Sequence, residues 1–314
     1  MTKLSDRTFL AGLLVLGALI DLACRFIPAD LPWFMPFIFN APEFLAAGLA
    51  LWWYARGLAR TPPEALPRRR RVWLYYLGII GMYAVLQTRF DYYAQHMFFL
   101  DRTQQVMIGV FGPFMLAVSW PGEILARGVP AVVLRVLSWR PVRLGLLIAA
   151  HPLVAALTVL LVTNFWLIPS INFIAMLDPL VYAVMNISMI LAGLLFWFVV
   201  LDPRPKPACR YSYLARMIAG FMVMFPQILI TAVIALSAQL FYNFYDLCGR
   251  ILPGMSAQYD QMLGGMIQWI PPGVLNTCVL FVLLNAIRLN DEKLEKTRVI
   301  PPGTKVIEAR WTGR

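Results

Sequence analysis

The sequence predicts an all-α, polytopic integral membrane helix bundle. Three observations lead there: its apolarity, the length of its apolar segments, and the alternation of charge between the loops that join them. Of 314 residues, 60% are hydrophobic and 14% are charged, and the mean hydropathy is +0.70. Soluble domains carry roughly 25% charged residues. A water-soluble fold needs more polar groups than this to cover its surface, whereas lipid accepts an apolar surface provided that helices satisfy the backbone internally.

Apolar segments lie near 8–27, 33–55, 72–88, 104–125, 144–168, 178–201, 215–243 and 265–288. A crossing needs about 20 residues, and most of these segments supply them. About eight transmembrane helices are expected, with seven as the alternative count. The third segment is short. Pro32, Pro36 and Pro42 interrupt the second, so its first half is expected to be a loop or interfacial turn. Residues 1–288 read as one transmembrane domain and 289–314 as a polar cytoplasmic tail, with Pro301-Pro302-Gly303 blocking helix continuation. Lys3 and Arg7 precede the first segment as in a signal peptide. No small-x-small cleavage site follows, so the segment is expected to be retained.

Loop charge sets the expected orientation. Loop 56–71 holds Arg56, Arg60 and the run Arg68 to Arg71 against Glu64; loop 126–143 holds Arg127, Arg135, Arg140 and Arg143. Loop 202–216 holds Arg204, Lys206, Arg210 and Arg216 against Asp202. Between them, loop 88–103 balances Arg89 and Arg102 with Asp91 and Asp101, and loop 244–264 sets Arg250 against Asp246 and Asp260. The positive-inside rule places the arginine-rich loops in the cytoplasm, and an even number of crossings then puts both termini there. The same distribution explains the net charge of +11 without a nucleic-acid partner. The aromatic rings of the neutral loops, among them Phe98, Tyr242, Phe244 and Tyr245, read mostly as an interfacial belt.

Enzyme signatures are missing: no phosphate-binding loop, no nucleophile elbow and no paired zinc histidines. The chain is expected to be no enzyme. Cys24, Cys209, Cys248 and Cys278 are scattered, without metal-binding spacing. His96 and His151 are the only two histidines, too far apart to hold a haem between them. Charged groups in membrane helices are functional hypotheses, and two clusters merit attention: Asp101 with Arg102, and Asp260 with Gln261. Methionine thioethers favour Cu(I), and Met185 and Met189 stand one helical turn apart. Thioethers also serve as ordinary gap filling.

Four stretches together resemble the CtaG-type assembly factors of bacterial caa3-type cytochrome c oxidases. They are His96-Met97-Phe98-Phe99-Leu100-Asp101-Arg102-Thr103-Gln104-Gln105 with Gly112-Pro113-Phe114 and Trp120-Pro121-Gly122; His151-Pro152 with Phe165-Trp166; Gly193 to Trp197 leading into Leu201-Asp202-Pro203-Arg204; and Cys248-Gly249-Arg250 with Asp260-Gln261-Met262-Leu263-Gly264-Gly265. The resemblance implies a factor of the bacterial inner (plasma) membrane, in biogenesis of the haem–copper centre, with oxidase subunits or other assembly factors as partners. It marks Asp101, Arg102, Gln105, His151, Trp197, Asp202, Asp260 and Gln261 as the functional motif.

This chain departs from the family at its metal-ligand candidates. Positions where the family carries histidines hold Asp101, Gln105, Gly109, Val110, Leu167, Tyr182, Met185 and Asn186. The remaining weak metal candidates are Asp101, His96 and Met185. No cofactor is firmly expected, and copper is doubtful. Two readings follow: a scaffold for oxidase assembly that does not itself ligate copper, or a small-molecule or metal permease with Asp101, Arg102, Tyr182, Asn186 and Gln227 along a polar path.

Overall fold

A computed structural model describes residues 6–204 and 209–296. Lys206 and the Pro301-Pro302-Gly303 stop lie outside them. The described residues are helical with no strand, in the order α1 (Asp6–Phe26), α2 (Ala41–Ala59), α3 (Arg69–Leu86), α4 (Arg89–Ala94), α5 (Phe98–Val106), a π-helical turn (Met107–Phe111), α6 (Gly112–Ser119), α7 (Gly122–Gly128), α8 (Ala131–Ser138), α9 (Arg140–Ala149), α10 (Pro152–Leu167), α11 (Pro169–Leu177), α12 (Pro179–Val200), α13 (Tyr213–Leu236), α14 (Tyr245–Cys248) and α15 (Ala257–Lys296).

Four of these helices, α1, α12, α13 and α15, are long and apolar enough to cross a membrane. Two further pairs meet the length and apolarity of a crossing only when taken together, each bent by 82°: the stretch from Phe98 to Ser119 with α7, and α9 with α10. The count is therefore four to six by length and apolarity, against about eight expected. The difference lies in α2 and α3. Glu43, Arg56 and the ring run Trp52-Trp53-Tyr54 dilute the apolarity of α2, and three arginines fill the first turn of α3. The second segment also starts later than its apolar run. Asn40 caps α2 by accepting from the Glu43 amide at 3.4 Å, and Pro42 sits in the first turn, where a missing N–H costs nothing.

Proline and the left-handed region set the breaks. Pro113 cannot donate to residue 109, and the Gly112 amide reaches back five residues to the Met107 carbonyl, which makes the π turn. Trp120 ends α6 at φ 49, a conformation that L residues rarely adopt, and Pro121 follows. Pro226 lies inside α13, and Pro271 and Pro272 inside α15.

Small residues bring the helices close. A Cβ on Gly57 of α2 would stand 2.0 Å from the Ile124 carbonyl oxygen of α7, and one on Gly128 would stand 1.8 Å from the Trp53 carbonyl oxygen. A Cβ on Gly193 of α12 would stand 2.1 Å from the Gly109 carbonyl oxygen in the π turn. With no hydrophobic drive between helices in lipid, such close approach supplies the packing contacts. The core forms three apolar clusters. One around Tyr54, Tyr75, Met185 and Met189 lies between α2, α3 and α12, and one around Phe196, Trp197 and Ala219 joins α12 and α13.

The third cluster corrects the belt reading. Phe98, Tyr242, Phe244 and Tyr245 are buried against Leu167 and Ile234. The chain after α13 folds back over the bundle, so these rings face helices rather than headgroups. Tyr92, Tyr93 and Tyr259 do stay exposed, as belt residues would.

The Gly57–Gly128 crossing generates a stability prediction. Gly57→Ala or Gly128→Ala forces α2 and α7 apart, at about 1–3 kcal/mol of overpacking. Thermal unfolding in detergent should report a lower midpoint for both, and no change for Gly12→Ala, whose added Cβ meets nothing within 4 Å.

Candidate functional site: a buried polar cluster around α5

The sequence-predicted residues divide between the two ends of the bundle. At the arginine-rich end, His151 is an N-cap: its Nδ1 accepts from the Leu153 amide at 3.3 Å and starts α10. Asp202 Oδ1 accepts from Arg204 Nε at 2.9 Å, and its main-chain oxygen takes a 2.6 Å bond from Arg216 Nη1. Trp197 is buried edge-on to Phe114 and Phe196 within the second core cluster. Met185 lies nearer the other end of α12, next to Asn186, fully enclosed in the first core cluster. All four shape the fold locally, and they do not meet.

The other candidates converge at the end carrying the neutral loops. Asp260, on α15, reaches the open N-terminus of α5. Its Oδ1 accepts from the Phe99 amide at 2.8 Å and its Oδ2 from the Phe98 amide at 3.1 Å. The α5 N-cap residue is Met97, whose side chain makes no capping bond, so a carboxylate from another helix does that work against the helix dipole. Arg250 Nη1 completes the arrangement by pairing with Asp260 Oδ2. Next along α15, Gln261 accepts from the Phe241 amide at 2.7 Å and donates to the Gln239 and Ile234 carbonyls at 2.9 and 3.2 Å. It pins the chain leaving α13.

One turn into α5, Asp101 and Arg102 are 0% and 1% exposed and pair with each other. Neighbouring helix positions normally diverge, so the Arg102 side chain folds back. Its Nε and Nη2 both donate to Asp101 Oδ2, while its guanidinium carbon lies 5.2 Å from the Phe98 ring centre. Asp101 Oδ1 has no hydrogen-bond partner. Four residues on, Gln105 Nε2 donates to Asn186 Oδ1 of α12 at 3.2 Å, leaving Gln105 Oε1 and Asn186 Nδ2 unpaired.

Sequence reading treated Asp91 as loop charge and passed over Gln104; both belong to the cluster. Tyr182 Oη lies 2.7 Å from Asp91 Oδ1 and 2.8 Å from Gln104 Oε1, and Gln104 Nε2 donates to Asp91 Oδ1 at 2.8 Å. Tyr182 has one proton to give and two acceptors in reach, so a proton on Asp91 completes the set. Burial pushes the Asp91 carboxyl from its ordinary 3.8 up to about 6, against the opposing pull of hydrogen bonds from Tyr182, Gln104 and Gln95. Glu43, near the start of α2, is a further half-buried carboxyl that no local pattern marks out. It accepts from Gln87 at 2.9 Å beside an apolar groove of about 480 Å³ between α2, α3, α6 and α12. The one available signal was composition: Gln87, Gln104 and Gln105 are amides at the ends of apolar runs.

Two candidates stay apart. His96 is at the same end but points outward, its Nδ1 2.7 Å from the Tyr92 carbonyl and its ring tilted by 43° against the Tyr92 ring. Gln227 lines a separate, partly open cavity of about 50 Å³ with Gln268, Thr163 and Asn276. That volume holds only a few water molecules.

A copper ion does not fit this donor set. Cu(I) favours thioether, thiolate and imidazole, whereas the cluster offers amides, a phenol and two carboxylates, Asp91 bonded to Tyr182 and Gln104 and Asp101 held by the Arg102 guanidinium. The Arg102 charge would repel a cation beside Asp101. Among the described residues, no three His, Cys, Asp or Glu side chains stand together as a metal-binding group.

Compared with known proteins, residues 49–288 match the sequence profile of a family described as cytochrome c oxidase caa3 assembly factor (Caa3_CtaG). No curated protein and no solved structure matches the chain.

Two outcomes test the cluster. Asp101→Asn strands the Arg102 charge in the interior and should cost about 3–5 kcal/mol of stability, with Arg102→Gln added in the same chain recovering most of it. A double variant as unstable as the single one would mean that the two side chains are not coupled. For Asp91, the raised folded value means that the native state keeps its proton longer than the unfolded chain. Its contribution is full below about pH 4 and is lost as pH rises towards 6. Denaturation midpoints across that window should fall for the wild type relative to Asp91→Asn, and the difference should level off above it.

Proposed function

The chain belongs to the cytochrome c oxidase caa3 assembly factor family, and on that premise we propose that it supports biogenesis of the haem–copper centre as a scaffold, without ligating copper itself. The observation that carries the scaffold reading is the Asp101–Arg102 pair: at a position where the family resemblance puts a metal-ligand candidate, a buried cation already occupies the carboxylate. Around it, Gln104, Gln105, Tyr182 and Asn186 join α5 to α12 and Asp260 joins α15 to α5 by hydrogen bonds, the chemistry of a rigid polar core rather than of metal transfer. The family description is of an assembly role, and no catalytic step is assigned to the chain.

In this reading the protein spans the bacterial inner membrane about eight times. The six spans counted with the bent pairs, joined by α2 and α3, make that number. The arginine-rich loops and both termini then lie in the cytoplasm, and the α5 cluster faces outward, towards oxidase subunits or other assembly factors. A permease would need its polar groups to connect. Gln227 sits instead in a cavity with room for a few waters, away from the Asp101 cluster.

Deletion of the gene should lower assembled oxidase activity in membranes while total cellular copper stays level. Purified protein offered Cu(I) should retain none above background. Stoichiometric copper on the purified chain would overturn the scaffold reading while leaving family membership intact.

A further inference from the structure

Between the α2–α7 crossing and α10, the chain runs through α8 and α9 without burying a single residue of either helix. Their apolar side chains are exposed all the same: Val132 is 66% exposed, Leu144 60% and Ile148 59%. In water such a surface would be a liability. Both flanks are fixed. On the α7 side, the Gly57–Gly128 approach, the 3.0 Å bond from Arg127 Nη1 to Thr61 Oγ1 and the 3.0 Å bond from Arg60 Nη1 to the Arg127 carbonyl lock the chain to α2. On the other side, α9 meets α10 at 82°. If α10 crosses the membrane, α9 lies close to the membrane plane.

The sequence of the two helices suits that position. In α8, Val132, Val133, Val136 and Leu137 are spaced to share one face, and Arg135 and Ser138 fall on the other. In α9, Arg140 and Arg143 occupy the first turn, and the remainder, Leu144 to Ala149, is apolar up to the bend. Trp139 joins the two helices, 65% exposed, a residue type that favours the headgroup level. Arg60 and Arg127 are bonded to the protein, whereas Arg135, Arg140 and Arg143 have no protein hydrogen bond or ion pair from their side chains among the described residues.

We propose that α8 and α9 form an in-plane hairpin that binds anionic phospholipid headgroups through Arg135, Arg140 and Arg143. Their valine, leucine and isoleucine side chains enter the outer acyl region, about 5–10 Å below the headgroups. The three guanidiniums pair with phosphate oxygens, for which their planar forks are matched. This interaction holds the entry to α10 at the membrane surface. It is independent of the scaffold reading, since it needs no oxidase partner.

The test uses the full chain in nanodiscs of phosphatidylcholine alone or of phosphatidylcholine with phosphatidylglycerol. Spin labels are placed on single cysteines at Val136, Leu147 and Ser138, with Cys24, Cys209, Cys248 and Cys278 replaced by serine. Labels at Val136 and Leu147 should meet lipid-dissolved oxygen in preference to a water-borne relaxant, and the label at Ser138 should show the reverse. With the arginines replaced together as R135Q, R140Q and R143Q, the phosphatidylglycerol preference of the retained lipid should fall by roughly fivefold per arginine. Equal access of the aqueous relaxant to both faces of α8 would overturn the proposal. So would protection of Val136 and Leu147 from both reagents, which would mean a protein partner on that face. Unchanged phosphatidylglycerol retention in the triple variant would overturn the headgroup assignment.

Discussion

A carboxylate that belongs to α15 closes the open end of α5, and the neutral-loop end of the bundle is arranged around that bond. Helix N-termini carry unpaired amides, and inside a membrane protein no water is at hand to satisfy them. Met97 has no oxygen to offer, so Asp260 crosses from another helix to accept from Phe98 and Phe99. The negative charge brought in for this purpose needs a partner in turn, and Arg250 supplies it from the loop between α14 and α15. Gln261 then fastens the chain leaving α13 to the same turn of α15. Three segments distant in sequence are thereby fixed relative to one another by two adjacent side chains.

This fixation lets α5 carry charge into the interior. Asp101 and Arg102 lie one turn beyond the capped end and are almost wholly enclosed. A buried pair of this kind rarely adds net stability over an apolar alternative, because desolvation offsets the attraction. Its consequence is specificity of arrangement: Arg102 folds back over Asp101 and lies against Phe98. Below the pair, the Gln105–Asn186 contact and the Gly109–Gly193 approach bring α12 against the π turn. The unpaired Asp101 Oδ1 and Gln105 Oε1 belong to side chains four residues apart on α5, and the unpaired Asn186 Nδ2 belongs to the α12 side chain that Gln105 contacts.

The chemistry of that face differs from what the family resemblance leads one to expect. Imidazoles would present neutral nitrogen donors to a soft metal ion. Amides, a phenol, the Asp91 carboxyl and the arginine-held Asp101 instead form hydrogen bonds and an ion pair among themselves. On the proposed scaffold reading, these positions would serve as cross-links between helices rather than as metal ligands.

The sequence alone determined the class of the protein. Apolarity and segment length require helices in lipid, and loop arginines alternate from loop to loop whatever the packing. The motif order around Asp101, His151, Trp197 and Asp260 also sufficed to place the chain in its family. Which of those motif residues meet one another was decided by tertiary structure. Asp260 and Phe98 are separated by more than half the chain, and no local pattern signals that one caps the other. His151, Trp197 and Asp202 stood beside Asp101 as candidates, but the fold places them in a cap, a core and a basic-end ion pair. The buried tyrosines of the loop after α13, and the exposed valines and leucines of α8 and α9, reverse what composition implies for each residue. Burial is a property of what packs against a side chain, and only the assembled helices supply that neighbour.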